Sequence, residues 1–118
     1  MIKDIDARSF DFAVRVIKMV NQLPKGIASY ELGKQIIRSS TSINSNIVQA
    51  RAGTSKADFA QHMCIALKEA VETKRWMEMM IAVNLIPAKR AAALLQENLE
   101  IIKILTTIVK KVKNKQKG

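Results

Sequence analysis

Arg38-Ser39-Ser40-Thr41-Ser42-Ile43-Asn44-Ser45-Asn46 is a run of small polar residues broken by one isoleucine, with apolar sequence on both sides. As a loop it would divide the chain's second apolar segment; as helix it would join the two halves. Ile43 decides between them. At about 100° per residue, Leu32, Ile36, Ile43, Ile47 and Ala50 fall within an arc of roughly 60°, and Ile43 takes its place there only if the helix runs unbroken through the serines. The stretch is therefore predicted to be mid-helix. Ser, Thr and Asn compete for backbone hydrogen bonds and are mediocre helix formers, so tertiary packing must offset a local cost. Their small side chains in turn let a neighbouring helix approach closely. Asn46 projects at the edge of the core stripe, where a buried amide must find polar partners or lose about 1–3 kcal/mol.

Working outward, three breaks bound this helix and its neighbours: Leu23-Pro24-Lys25-Gly26, Ala52-Gly53-Thr54 and Asn84-Leu85-Ile86-Pro87. They leave four helical segments, at about 8–23, 29–51, 55–83 and 87–113, followed by a basic tail over 110–118. Ser55 with Asp58 three residues later resembles a capping box, and Phe59 after it opens an apolar stripe. Pro87 sits where a first-turn proline is tolerated. Short connections make consecutive helices antiparallel. The predicted fold is all-α: one antiparallel, up-and-down four-helix bundle spanning 118 residues.

The first and fourth helices carry more apolar surface than one bundle core requires. Phe10, Phe12, Ala13, Val14, Val16, Ile17, Met19, Val20 and Leu23 cover roughly 220° of the first. Leu94, Leu95, Leu99, Ile101, Ile102, Ile104, Leu105, Ile108, Val109 and Val112 cover a similar arc of the fourth, with Asn98 near its middle. A monomeric bundle needs about 100–140°, so the surplus predicts burial against further subunits. In the third helix, Phe59, Met63, Ala66, Ala70, Thr73, Met77 and Met80 form a heptad-like seam on which the methionines are core filler.

Catalytic and cofactor chemistry find little support. His62 and Cys64 are two apart, so on a helix they point to different sides and cannot act as base and nucleophile within one subunit. His62, Glu69 and Glu72 share a helix face, but carboxylate-bridged metal bundles need Glu-x-x-His on two helix pairs, and the chain has one histidine. The four glycines are scattered, giving no phosphate loop. The expectation is a protein that is not an enzyme, with no metal and no cofactor. Glu72 is expected instead in a structural polar network with Asn46 and Arg38. One cysteine, no apolar run of membrane-spanning length and no secretory h-region point to a cytoplasmic protein without a membrane partner.

The run Arg38 to Ile47, then Ser55-Lys56-Ala57-Asp58-Phe59, then Ile65-Ala66-Leu67-Lys68-Glu69-Ala70 and Glu72-Thr73 with Trp76, resembles the bacterial 23S rRNA intervening-sequence proteins, the S23 family. The resemblance implies a four-helix bundle that assembles as a homopentamer, and kinship with the nucleic-acid-binding accessory proteins of diversity-generating retroelements. Many members carry a glutamate and a glycine where this chain has Gln49 and Ala50, so no carboxylate role transfers to that step.

Charge supplies the functional candidates. The chain carries +10 at neutral pH with a pI near 10.1, an excess that suits a polyanionic partner. Arg8, Arg15 and Lys18 project from the polar strip of the first helix, and Lys110, Lys111, Lys113, Lys115 and Lys117 crowd the end of the fourth. These eight residues are the candidate nucleic-acid ligands, with RNA favoured. Aromatics are scarce at 4%, which disfavours base stacking and predicts low sequence specificity. The alternative is a scaffold for a partner enzyme, such as a reverse transcriptase or a ribosome-associated factor, docked on the apolar surplus.

Overall fold

A computed structural model describes the backbone of residues 2–117 and the side chains of residues 4–114. Four helices follow one another: α1 (Ile2–Asn21), α2 (Ile27–Ala52), α3 (Lys56–Ala82) and α4 (Ala88–Lys117). They form a four-helix bundle 50 Å long and about 20 Å across. Cross-ties fix the directions. Arg38 on α2 meets Glu69 and Glu72 on α3 while Asn46 meets His62, so rising numbers on one helix face falling numbers on the other. Arg8 of α1 and Gln22, just past its end, face Glu97 and Arg90 of α4 in the same antiparallel sense. The α2–α3 interface is the broadest and α1–α4 the narrowest.

The polar run lies in the middle of α2, as Ile43 requires. Ile36, Ile43 and Ile47 are wholly buried, and Ala50 nearly so. Ser39 and Ser40 are also buried, and their hydroxyls donate back to the carbonyls of Ile36 and Ile37, both at 3.3 Å. The Thr41 hydroxyl does the same to Ile37 O at 2.7 Å. Thr73 of α3 donates to Ser39 Oγ at 2.8 Å, an approach that only small side chains on both helices permit. Thus the residues that lower helix propensity are satisfied within the packed interface.

Helix limits follow local chemistry. The Asp58 amide donates to Ser55 Oγ at 3.0 Å, capping α3. Asn84 adopts a left-handed conformation (φ 63°) in the α3–α4 turn, which Asn tolerates better than most residues. Pro87 stands just ahead of α4, and its carbonyl accepts from Arg90 and Ala91. At two ends the helices run further than the apolar pattern indicates. α1 begins at Ile2 instead of near residue 8, because Ile5 is fully buried in line with Phe12 and Val16. α4 continues to Lys117, since lysine is a good helix former and its charge complements the negative end of the helix dipole.

The core contains Phe12, Val16, Met63, Met77, Met80, Ile101 and Leu105, all without exposure. Asn98 is buried among them and donates to Ala70 O at 3.1 Å, while its Oδ1 has no protein partner. Phe10 is 61% exposed and Leu99 37%, so part of the apolar surplus of α1 and α4 does face outward. Exposed Tyr30 and Val48 of α2, and Val71 of α3, add to it.

Candidate nucleic-acid interface

Five carboxylates tie helices together: Asp6, Glu69, Glu72, Glu97 and Glu100. Arg8 donates to both oxygens of Glu97, at 3.0 and 2.6 Å, and to Glu100 at 3.2 Å. The Glu97 hydrogen bond chiefly, with Glu100 adding to it against partial desolvation, holds the guanidinium's pKa above its already high ordinary value. Arg8, placed by its polar strip among the outward phosphate ligands, is therefore a tie between α1 and α4 with its charge compensated. Arg51 binds Asp6, and Asn44 donates to Asp6 Oδ1 at 3.0 Å and to Ser9 Oγ at 3.0 Å, closing the α1–α2 seam.

On the α2–α3 seam, Arg38 donates to Glu69 at 2.9 Å and to Glu72 at 2.7 Å. Asn46 does not join them. Its amide donates to Ser42 O at 2.9 Å and Ser42 Oγ at 3.1 Å, and its Oδ1 lies 3.1 Å from His62 Nδ1. The expected single network is thus two networks separated by about two helical turns of α2. His62 also approaches Asp58 at 3.7 Å. Among the described residues, no three His, Cys, Asp or Glu side chains are grouped to hold a metal ion. Lys74 and Arg75 both turn to Glu78.

What remains is positive charge without a carboxylate partner among the described residues: exposed Lys68 and Lys103 along the rod, and two groups at its ends. At the end formed by the α1 C-terminus and the α4 N-terminus, Arg15, Lys18 and Arg90 surround a shallow cleft. At the opposite end, Lys110, Lys111 and Lys113 are exposed on the last turns of α4. Among the described residues none of these six has a carboxylate partner. The side chains of Lys115 and Lys117 lie outside the described residues. Arg90 is the site residue that sequence reasoning missed: it follows a turn, away from any lysine run, and only folding brings it to Arg15.

With this geometry in view, residues 4–107 match the family described as 23S rRNA-intervening sequence protein. The chain belongs to this family. A solved structure of a protein of unknown function, assigned to the S23 ribosomal protein family of Bacteroides thetaiotaomicron VPI-5482, is 35% identical. The similarity covers 92% of this chain and 97% of that one, with a TM-score of 0.82. No curated protein matches. Arg15, Lys18 and Arg90 fall inside the family match, whereas Lys110 and the lysines after it lie beyond its last residue. The family gives the bundle its architecture and assigns it no activity. No helix among the described residues is long and apolar enough to cross a membrane.

Proposed function

We propose that this S23-family protein is a non-enzymatic, cytoplasmic, oligomeric bundle that binds nucleic acid, RNA first, through its phosphates. The observation that carries the reading is the excess of exposed cations that no carboxylate of the bundle pairs. Glu69, Glu72, Glu78, Glu97 and Glu100 are engaged by cations of the bundle itself, while Arg15, Lys18 and Arg90 at one end, Lys110, Lys111 and Lys113 at the other, and Lys68 and Lys103 between them have no carboxylate partner among the described residues, on a chain of net charge +10. Phosphate backbones are the polyanions such a field attracts, with affinity set by counterion release and with little dependence on sequence.

Assembly strengthens the field. The exposed Phe10, Tyr30, Val48, Val71 and Leu99 offer apolar area for packing between subunits, and the family resemblance makes five copies the first expectation. Five copies of +10 give a particle of about +50 on formal charge. Light scattering at micromolar concentration checks the assembly; a stable monomer removes it. The binding test is fluorescence anisotropy with single- and double-stranded RNA and DNA at low and physiological salt. The expected result is binding to several sequences that weakens steeply with salt. Absence of binding at low salt refutes the reading and turns the exposed apolar surface toward a protein partner.

A further inference from the structure

The cleft at the α1–α4 end has features that a generally basic surface does not need. It has a volume of about 330 Å³, at the lower end of the range for small-ligand pockets. Arg15 and Lys18 descend from α1, and Arg90 crosses from the first turn of α4. Arg90 Nη2 donates to Gln22 Oε1 at 3.0 Å, which holds the guanidinium at the rim. No aspartate or glutamate lines the cleft. The floor is apolar, built from Met19, Leu85 and Leu94.

Electrostatics favour an anion in the cleft. The first turn of α4 contains Lys89 and Arg90 and no acid, the reverse of what the positive end of a helix dipole favours. Two guanidiniums and an ammonium therefore line a site where the electropositive first turn of α4 meets the C-terminal end of α1, whose last turn holds Lys18. An anion there supplies the counter-charge that the cleft's own residues lack, together with acceptors for the cations' hydrogen bonds.

We propose that this cleft binds a phosphomonoester carried on a planar apolar group, that is, a mononucleotide, either free or at the end of a strand. The phosphate is dianionic near neutral pH and offers several oxygens, which suits two forked guanidiniums better than a monoanionic backbone diester does. The apolar floor takes the base, an area that inorganic phosphate would leave uncovered. The cleft's size admits about one nucleotide. The inference rests on the phosphate-binding reading of Arg15 and Lys18, and adds to it Arg90, Gln22 and the apolar floor.

The test is isothermal titration of the full chain with 5′-AMP, adenosine and inorganic phosphate, for the wild type, R15Q/R90Q, K18Q and a variant with Lys110, Lys111, Lys113, Lys115 and Lys117 changed to glutamine. 5′-AMP is expected to saturate at one per chain. Adenosine and inorganic phosphate should each bind at least ~10-fold more weakly, and R15Q/R90Q should lose at least ~10-fold, as charge-assisted hydrogen bonds are removed. Far-UV circular dichroism establishes that R15Q/R90Q is folded; K18Q, at an exposed position, gives the same test with less structural risk. The five-lysine variant should keep its 5′-AMP affinity. Failure of 5′-AMP to saturate at millimolar concentration, or equal affinity in wild type, R15Q/R90Q and K18Q, overturns the proposal. Short RNAs with a 5′-phosphate or a 5′-hydroxyl separate the two sources: tighter binding of the phosphorylated strand assigns the cleft to strand ends, and equal binding assigns it to free nucleotide. If long RNA binds through the tail while 5′-AMP does not bind, this inference fails and the polymer reading stands. The converse result leaves a mononucleotide site and removes polymer binding.

Discussion

Ile43→Ala tests the reading of the polar run on which the fold depends. Ile43 is fully buried in the middle of α2, between serines that face α3 and an asparagine that ties α2 to α1. The substitution removes three carbons, worth about 0.8 kcal/mol each on burial, or about 2.4 kcal/mol. If the surroundings collapse only partly, a residual cavity of about 50 Å³ at ~24 cal/mol per Å³ adds roughly 1 kcal/mol. Alanine's better helix propensity returns a few tenths. The sum is about 3 kcal/mol. For 118 residues, an unfolding entropy near 2.1 cal/mol/K per residue translates this to a fall of about 12 °C in midpoint. Urea and thermal denaturation followed by circular dichroism provide the measurement, with Ser45→Ala as control. Ser45 is exposed on the same helix, and its substitution should stay within about 0.5 kcal/mol of wild type. Equal midpoints for Ile43→Ala and Ser45→Ala would refute the placement of Ile43 in the core.

Three further substitutions test the joints of the bundle. Ser55→Ala removes the acceptor for the Asp58 amide and should cost about 1 kcal/mol in urea denaturation; an unchanged midpoint would mean that the cap contributes nothing. Gly33→Leu should cost about 1–3 kcal/mol through overpacking, because even a Cβ at that position would lie 2.8 Å from Val20 Cγ1; Val20→Ala should recover part of the loss, and strictly additive effects would contradict the close approach. Arg8→Met leaves Glu97 and Glu100 without their partner, and with Arg8 one-third exposed the loss should be about 1 kcal/mol. That loss should shrink in molar salt, and a salt-independent effect would point to packing instead of charge.

Much of the bundle is legible in the sequence because its signals are local or periodic. Ile43 alone decides the course of α2, and Ser55 with Asp58 marks the start of α3. The first turns of α1 are not legible, because Ile5 stands alone among Lys3, Asp4 and Asp6, too short a pattern to establish a period. Partner choice is harder to read. Helical-wheel position puts Arg8 outside, yet Glu97 and Glu100 on α4 reach it. The shared polar character of Asn46, Glu72 and Arg38 suggests one network, but the rise along α2 separates Asn46 from the other two and brings His62 into reach instead. Arg90 belongs to the cleft only through the antiparallel docking of α4 on α1, a relation between residues 68 positions apart in the Gln22–Arg90 bond.

The central claim is that uncompensated cations of this bundle bind nucleic-acid phosphates, and the salt dependence of RNA affinity tests it most directly. Affinity of the wild type and of the variant with Lys110, Lys111, Lys113, Lys115 and Lys117 changed to glutamine should be measured at several salt concentrations. The log–log slope is expected to flatten by about 0.7–0.9 for each phosphate that the variant no longer neutralises, with weaker binding at low salt and an unchanged unfolding midpoint, since Lys110, Lys111 and Lys113 are exposed. Identical slopes for the two proteins would contradict the tail's role, and a wild type that fails to bind RNA at low salt would contradict the claim itself.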